Sequence, residues 1–340
     1  MLEAAAELLA GQAAYVVGGT VRDELLGRPV LDVDIACTSP EETARAFAAR
    51  SGGAPFPLSP THGGWRVALA EGRTIDFTPL RGPIEDDLAT RDFTINAIAR
   101  PLAGGEHVDP FGGLDDLEAR LVRAVGSGVF ESDPLRLLRA VRFEDELGFT
   151  IERRTERLAR EQAKLVTRPA GERVLEVLSR LRAPGWRRLD DLGLLQPLGG
   201  SLELDERADA VDSPDYQLVV YLQDSIGLLP ISRELRRYAV ALLRSSPPAD
   251  SSPRSIHRFR RRTEPWAAEA LAFHGRPDLA DALAQARAAD PAEPLLRGDE
   301  LGLPEGPAIG ELLELVAEER AAGTISTREE ALELVRRRAN

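Results

Sequence analysis

A single cysteine, Cys37, stands in 340 residues, which excludes an intramolecular disulfide and any multi-cysteine zinc site. It reads as a small buried apolar residue on a strand. No apolar run reaches the length of about 18 residues that a membrane-spanning helix needs, so no membrane association is expected. The opening stretch MLEAAAELLAGQAAYVV carries Glu3 and Glu7 and no basic residue. A secretory leader begins with positive charge, so this stretch reads as a helix leading into a strand, and the expected location is cytoplasmic. Positive charge is the minority: 43 Lys and Arg face 56 Asp and Glu, a formal net charge of −13. That balance argues against broad, nonspecific nucleic-acid binding, which needs cationic surface. Lysine is almost absent (Lys164 stands alone), a compositional bias without functional content. His62, His107, His257 and His274 form no clustered ligand pattern and no His-Asp doublet, so no phosphohydrolase site is expected. Neither the phosphate-loop nor the dinucleotide glycine pattern occurs.

The length suggests two or three structural units, and 43% hydrophobic with 29% charged residues fits a globular chain with a proper core. The charge is uneven. Residues 131–190 hold 11 acids and 14 bases, the one net-positive stretch, so local potential still permits an RNA partner. The first ~110 residues mix strand and helix signals. AAYVV is a short strand closed by Gly18-Gly19; TVRDELLG starts a helix; LDVDIACT alternates as a strand. Ser39-Pro40-Glu41-Glu42 opens another helix, and WRVALA and TIDFTPL form a hairpin joined by EGR. From about residue 130 strand signals vanish and helical periodicity takes over, with Pro and Gly as punctuation. The stretch 245–254, SSPPADSSP in its core, reads as a linker. The predicted fold class is α+β: a small head with a mixed β-sheet, covered by helices on one side, followed by an all-α body and tail.

The chemistry-bearing residues lie in the head. On the strand LDVDIA, Asp32 and Asp34 face one side while Leu31, Val33 and Ile35 face the core. A Cα separation of roughly 6–7 Å follows from the strand rise, and a pair so placed can bridge two metal ions ~3.5–4 Å apart. Asp76 alternates against Ile75 and Phe77 in TIDFTPL. If the two strands are neighbours, three carboxylates converge on a hard-oxygen site suited to Mg²⁺; a solvated acidic strand face is the plain alternative. Gly18 and Gly19 sit between strand and helix, where bare backbone can approach phosphate, and Arg22 in the first turn can reach a triphosphate. Strand, glycine turn, helix and carboxylate strand form one compact unit. Further on, Asp133, Arg136, Arg139 and Arg142 share one half of a predicted helix whose other half carries Leu135, Leu137, Leu138 and Val141. Three arginines without an interleaved Glu suit an anionic ligand better than helical ion pairing.

These segments together, GGTVRDELLGRPVLDVDIACT, RDFTINAIA, DPFGGLDDL and SDPLRLLRAVRF, resemble in order the bacterial class II tRNA nucleotidyltransferases, the family of CCA-adding, CC-adding and A-adding enzymes and bacterial poly(A) polymerases. The C-terminal GDELGLPEGPAIGELLELVAEERAAGTISTREEALELVRRR is also similar to that family's tail. The resemblance implies a catalytic head over 1–125, a helical nucleotide-selecting neck over 126–185, a helical body over 186–250 and a tRNA-binding helical tail over 255–340. It implies that Asp32 and Asp34 hold catalytic Mg²⁺, with Asp76 as a third carboxylate. Gly18, Gly19 and Arg22 would meet the triphosphate, and Arg91 and Asp92, with Asn96 nearby, the sugar and phosphates. Asp133 and Arg136 would read the base edge of CTP or ATP, assisted at the phosphates by Arg139 and Arg142. The implied chemistry is in-line attack of the RNA 3′-hydroxyl on the α-phosphate, without a protein nucleophile or general base.

The chain departs from the family pattern in places. Ser132 replaces the Glu that usually precedes the template Asp, and Thr90 replaces the first Arg of an Arg doublet. TPLRG runs almost directly into PIEDDLATRDF, where CCA-adding members carry a longer loop associated with switching from CTP to ATP. This leans toward CC addition, with CCA addition, A addition, poly(A) tailing and an inactive RNA-binding relative as the alternatives. The basic run HRFRRR (257–262) suits either tRNA phosphates or solvent. Trp65, Trp186 and Trp266 read as packing residues.

Overall fold

The computed structural model describes residues 1–58, 63–303 and 306–339; His62 lies outside them. The chain divides into two compact units, Met1–Leu198 and Gly199–Asn340.

The first unit is built on a six-stranded sheet of β1 (Ala14–Val17), β2 (Asp32–Cys37), β3 (Ala54–Pro57), β4 (Trp65–Ala68), β5 (Thr74–Pro79) and β6 (Ala99–Pro101), ordered β3-β4-β5-β2-β1-β6. Only β2 and β5 run parallel, and their register sets Asp32 opposite Thr74 and Asp34 opposite Asp76. The expected hairpin forms, with Arg66 of β4 opposite Asp76 of β5. Alternation explains the layers. Val33, Ile35, Ile75 and Phe77 point to one face, where they pack with Phe47 of α3 (Pro40–Ser51) and Ala5 of α1 (Leu2–Leu8). Cys37 is buried in the same cluster. Leu31 departs from its expected place: it precedes the first paired residue of β2 and is 59% exposed. The opposite face, which carries the acids, is covered only in part. Ile84 and Leu88 of α4 (Ile84–Ala89) pack there on Val17 and Ala36. The rest of that face stays accessible beside α2 (Gly19–Leu25).

Short α5 (Gly113–Glu118) and α6 (Val129–Ser132) lead into α7 (Arg136–Leu147), and α8 (Arg153–Glu161), α9 (Gly171–Leu178) and α10 (Ala183–Asp191) complete the unit. One strand pair survives beyond residue 130, contrary to expectation. Thr150-Ile151 pairs parallel with Leu121-Val122, just after Gly148 ends α7 in the left-handed conformation at φ 66.

The second unit is helical, from α11 (Pro214–Leu222), α12 (Arg233–Leu243) and α13 (Pro253–Thr263) through α14 (Ala267–Phe273), α15 (Ala280–Ala288), α16 (Pro307–Ala321) and α17 (Arg328–Ala339). The predicted linker 245–254 lies inside this unit, running from the end of α12 into the first turn of α13, and Arg276 donates to the Pro248 carbonyl at 2.8 Å. Leu312 and Val316 of α16 share a small core with Ala331 and Val335 of α17. Among the described residues no helix is long and apolar enough to cross a membrane.

Candidate active site

The open face of the sheet, the turn after β1 and the start of α7 border a cleft of about 1190 Å³ within the first unit. Twelve of the thirteen residues singled out from the sequence line it; Asp76 does not. The described lining holds nine arginines and eight carboxylates, so the strong negative charge of the chain as a whole does not extend into it.

Asp32 and Asp34 share one face of β2, as alternation requires. Asp32 is exposed and accepts a hydrogen bond from Thr74 Oγ1 at 2.7 Å. Asp34 is more enclosed. Burial, reinforced by the neighbouring Asp76, pushes its carboxyl up to about 6, against the opposing pull of Arg91 and Arg66. Thr20 secures the strand, accepting from the Asp34 N–H at 2.9 Å and donating to the Asp32 carbonyl at 3.3 Å. Asp76 faces the same side, but Arg66 grips both its oxygens at 2.7 Å. The three carboxylates thus come together on one face of neighbouring strands, with Asp76 paired to Arg66 and Asp32 and Asp34 lining the cleft. A pair of carboxylates, one of them held in an environment that disfavours its own charge, fits a hard divalent cation.

Gly18 turns at φ 68, a conformation that suits glycine. A Cβ there would come within 3.1 Å of Arg91 Nη1 and 3.8 Å of Asp34 Oδ2, so the missing side chain keeps the space between cation and carboxylate open. Gly19 begins α2 with Arg22 folded beside it. Arg22 donates to Asn96 Oδ1 at 2.7 Å, and Asn96 donates to Asp92 Oδ1 at 2.9 Å. Asp92 also receives Arg139 Nε at 2.8 Å. Burial opposes the Asp92 charge, yet Arg139 and Asn96 outweigh it and hold the carboxyl below its ordinary value. Asp92 thus orders the arginines, and Arg91 is steadied by Asp87 at 2.7 Å.

Arg142 is the most telling cation. It is buried, its Nε has no hydrogen-bond partner among the described residues, and Glu146 lies 3.7 Å away. Burial and the adjacent Arg139 lower its pKa to about 10. A buried, under-satisfied guanidinium costs stability unless an anion completes it. The guanidinium carbons of Arg22, Arg139 and Arg142 lie 4.8–5.3 Å from the Phe143 ring centre, a cation–π platform that sequence reasoning missed.

Asp133 and Arg136 are adjacent but not on one helix as expected. Pro134 keeps Asp133 extended at φ −147, ψ 99, and its carboxylate accepts the Leu135 N–H at 3.2 Å ahead of α7. Arg173 of α9 grips Asp133 at 2.7 and 3.3 Å. Burial pushes the Asp133 carboxyl up, but Arg173 brings it below its ordinary value. Arg136 donates to Ser132 Oγ at 3.1 Å and to the Thr90 carbonyl at 2.7 Å. Both positions that depart from the family pattern therefore touch Arg136. Arg173 and Arg66 carried no local signal, since each is paired by tertiary register or by distant sequence.

Among the described residues no three His, Cys, Asp or Glu side chains are grouped to hold a metal. His257 meets Glu314 at 3.3 Å and His274 meets Ser245 at 2.9 Å. In the basic run, Arg258, Arg260 and Arg261 pair with Glu318, Glu264 and Glu314. Trp186 is fully buried, Trp65 lies under Arg45 and Trp266 packs edge-on against Tyr238.

The sheet-and-helix head has relatives among known proteins. Residues 14–123 match the family described as the Poly A polymerase head domain. The chain is 34% identical to an A-adding tRNA nucleotidyltransferase of Deinococcus radiodurans, over 95% of each chain. It is 32% identical to a CC-adding tRNA nucleotidyltransferase of Thermus thermophilus, over 94% of this chain and 92% of the relative. A CC-adding tRNA nucleotidyltransferase of Geobacter sulfurreducens is 47% identical over half of this chain, a match that spans 40% of that protein. In structure, the chain is similar to the Thermotoga maritima CCA-adding enzyme complexed with tRNA (TM-score 0.75, 26% identity, 100% and 94% covered). It is also similar to a CCA-adding enzyme in complex with CTP (TM-score 0.81, 25% identity, the same coverage). The chain belongs to the class II tRNA nucleotidyltransferase family.

Proposed function

We propose that this protein adds cytidines from CTP to the 3′ end of tRNA in the cytoplasm, without a nucleic-acid template, and stops after CC. The observation that supports transfer chemistry is the joint placement of Asp32, Asp34 and the under-satisfied Arg142 on one cleft beside Gly18. The observation that favours CC addition is the short connection, residues 80–83, between β5 and α4. Nothing longer separates the acid-bearing strands from Arg91 and Asp92. The relatives carry CC-adding, A-adding and CCA-adding names alike, so the subtype rests on that connection.

In this reading Asp32 and Asp34 hold Mg²⁺. When bound, the metal supplies Lewis-acid activation of the RNA 3′-hydroxyl and of the phosphoryl group. The 3′-oxygen bonds to the α-phosphorus as the bond to pyrophosphate breaks, and the hydroxyl proton passes to solvent. Gly18 and Gly19 leave room for the triphosphate, while Arg22, Arg139 and Arg142 balance its charge. Arg91, Asp92 and Asn96 orient the sugar and phosphates. Asp133 and Arg136 read the base: a carboxylate acceptor and a guanidinium donor complement the cytosine edge, which offers an amino donor beside ring-nitrogen and carbonyl acceptors. Asp133 must first release Arg173, and Arg136 must release Ser132 and the Thr90 carbonyl, to meet the base. The subdivision into head, neck, body and tRNA-binding tail belongs to the same proposal.

The test supplies single labelled nucleotides to tRNA lacking CCA, to tRNA ending in CC and to unrelated RNA. Two cytidines and no adenosine on the first substrate are expected. Full CCA would reverse the subtype; adenosine added only to CC-ended tRNA would indicate A addition; tailing of any RNA would indicate a poly(A) polymerase. No product with any substrate would leave an inactive RNA-binding relative.

A further inference from the structure

Asp76 stands between two opposite influences. The antiparallel register sets it against Arg66, and the parallel register sets it against Asp34. Arg66 wins: Nε and Nη2 each lie 2.7 Å from a different Asp76 oxygen, the two-point geometry in which guanidinium and carboxylate bind most strongly. The Asp76 side chain is 11% exposed and that of Arg66 35%, so solvent reaches the pair from the arginine side and the two-point geometry holds it. Asp32 and Asp34 line the cleft and Asp76 does not. With Asp76 held by Arg66, the acids that line the cleft on this face of β2 are Asp32 and Asp34, a formal charge of −2 that one divalent cation matches.

We propose that Arg66 is a positioning residue that withdraws Asp76 from the metal's donor set, leaving a two-carboxylate site at Asp32 and Asp34. The proposal rests on the reading of those two acids as metal ligands. Arg66 holds the third acid on the same face without letting it ligate, and so keeps metal affinity lower than three free carboxylates would give.

Mn²⁺ binding to the full-length protein, measured without nucleotide by the electron paramagnetic resonance of free Mn²⁺, tests this. Asp34→Asn should weaken binding at least about tenfold. Asp76→Asn should leave it within about twofold, and Arg66→Ala should tighten it about tenfold by releasing a third ligand. The double variant Arg66→Ala with Asp76→Asn should lose that gain. Arg66→Lys, which keeps the charge but cannot span both oxygens, should fall between the wild type and Arg66→Ala; it also provides a readout if the alanine variant fails to fold. Asp76→Asn weakening Mn²⁺ as much as Asp34→Asn, or Arg66→Ala and Arg66→Lys both binding as the wild type does, would overturn the proposal alone. Unchanged binding in both Asp32→Asn and Asp34→Asn would overturn the metal reading with it.

Discussion

Asn in place of Asp34 should stabilise the metal-free protein. The wild-type carboxyl rises from 3.8 to about 6 on folding because burial and Asp76 oppose its charge. The folded state therefore binds more protons than the unfolded chain between those values, and stability falls as pH rises through that window. At about 1.4 kcal/mol per tenfold change in proton affinity, the full penalty above pH 6 is about 3 kcal/mol, reduced to about 2 by partial exposure. Asparagine keeps the shape and removes the charge. Urea unfolding in chelator should thus show Asp34→Asn more stable than wild type by about 2 kcal/mol at pH 7.5, with the gap closing below about pH 4. Added Mn²⁺ should stabilise the wild type by mass action and leave the variant behind. A variant less stable than wild type at pH 7.5 in chelator, or a gap that does not depend on pH, would refute the reasoning.

Other perturbations separate binding, selection and packing. Arg142→Met replaces a buried, under-satisfied cation with an apolar side chain; CTP affinity by calorimetry should fall about tenfold or more while the melting temperature holds or rises. Arg136→Ala should loosen the choice between CTP and ATP, read as the ratio of kcat/KM for the two; an unchanged ratio would remove Arg136 from base reading. Gly113→Ala would put a Cβ 2.2 Å from the Thr94 carbonyl oxygen and should cost about 1–3 kcal/mol of stability. Gly126→Ala, with nothing within 4 Å, should stay within about 0.5 kcal/mol.

Local pattern carried much of the head. The alternation Asp32-Val33-Asp34-Ile35 shows which face each side chain takes because the strand repeat is two, and the hairpin around residues 70–72 is visible in its flanking alternation. What local pattern lacks is pairing across space. Arg66 lies in WRVALA, legible as a strand, but its grip on Asp76 depends on a cross-strand register that one residue of slip would abolish. Arg173 reaches Asp133 from 40 residues away. Leu31 fits the core alternation in sequence yet is exposed, because alternation does not announce where a strand begins. In the helical part every segment has an apolar stripe, so periodicity does not mark the break near residue 198, and the proline-rich stretch 245–254 falls within the second unit.

Asp32 and Asp34 form the proposed centre of nucleotide transfer. Single-turnover incorporation of labelled CMP into tRNA lacking CCA, by wild type and Asp32→Ala at saturating CTP, tests it most directly. A loss of about three orders of magnitude is expected in the variant, the several kcal/mol that metal-assisted transfer supplies, with far-UV circular dichroism unchanged. Transfer by Asp32→Ala within a few-fold of wild type would contradict it.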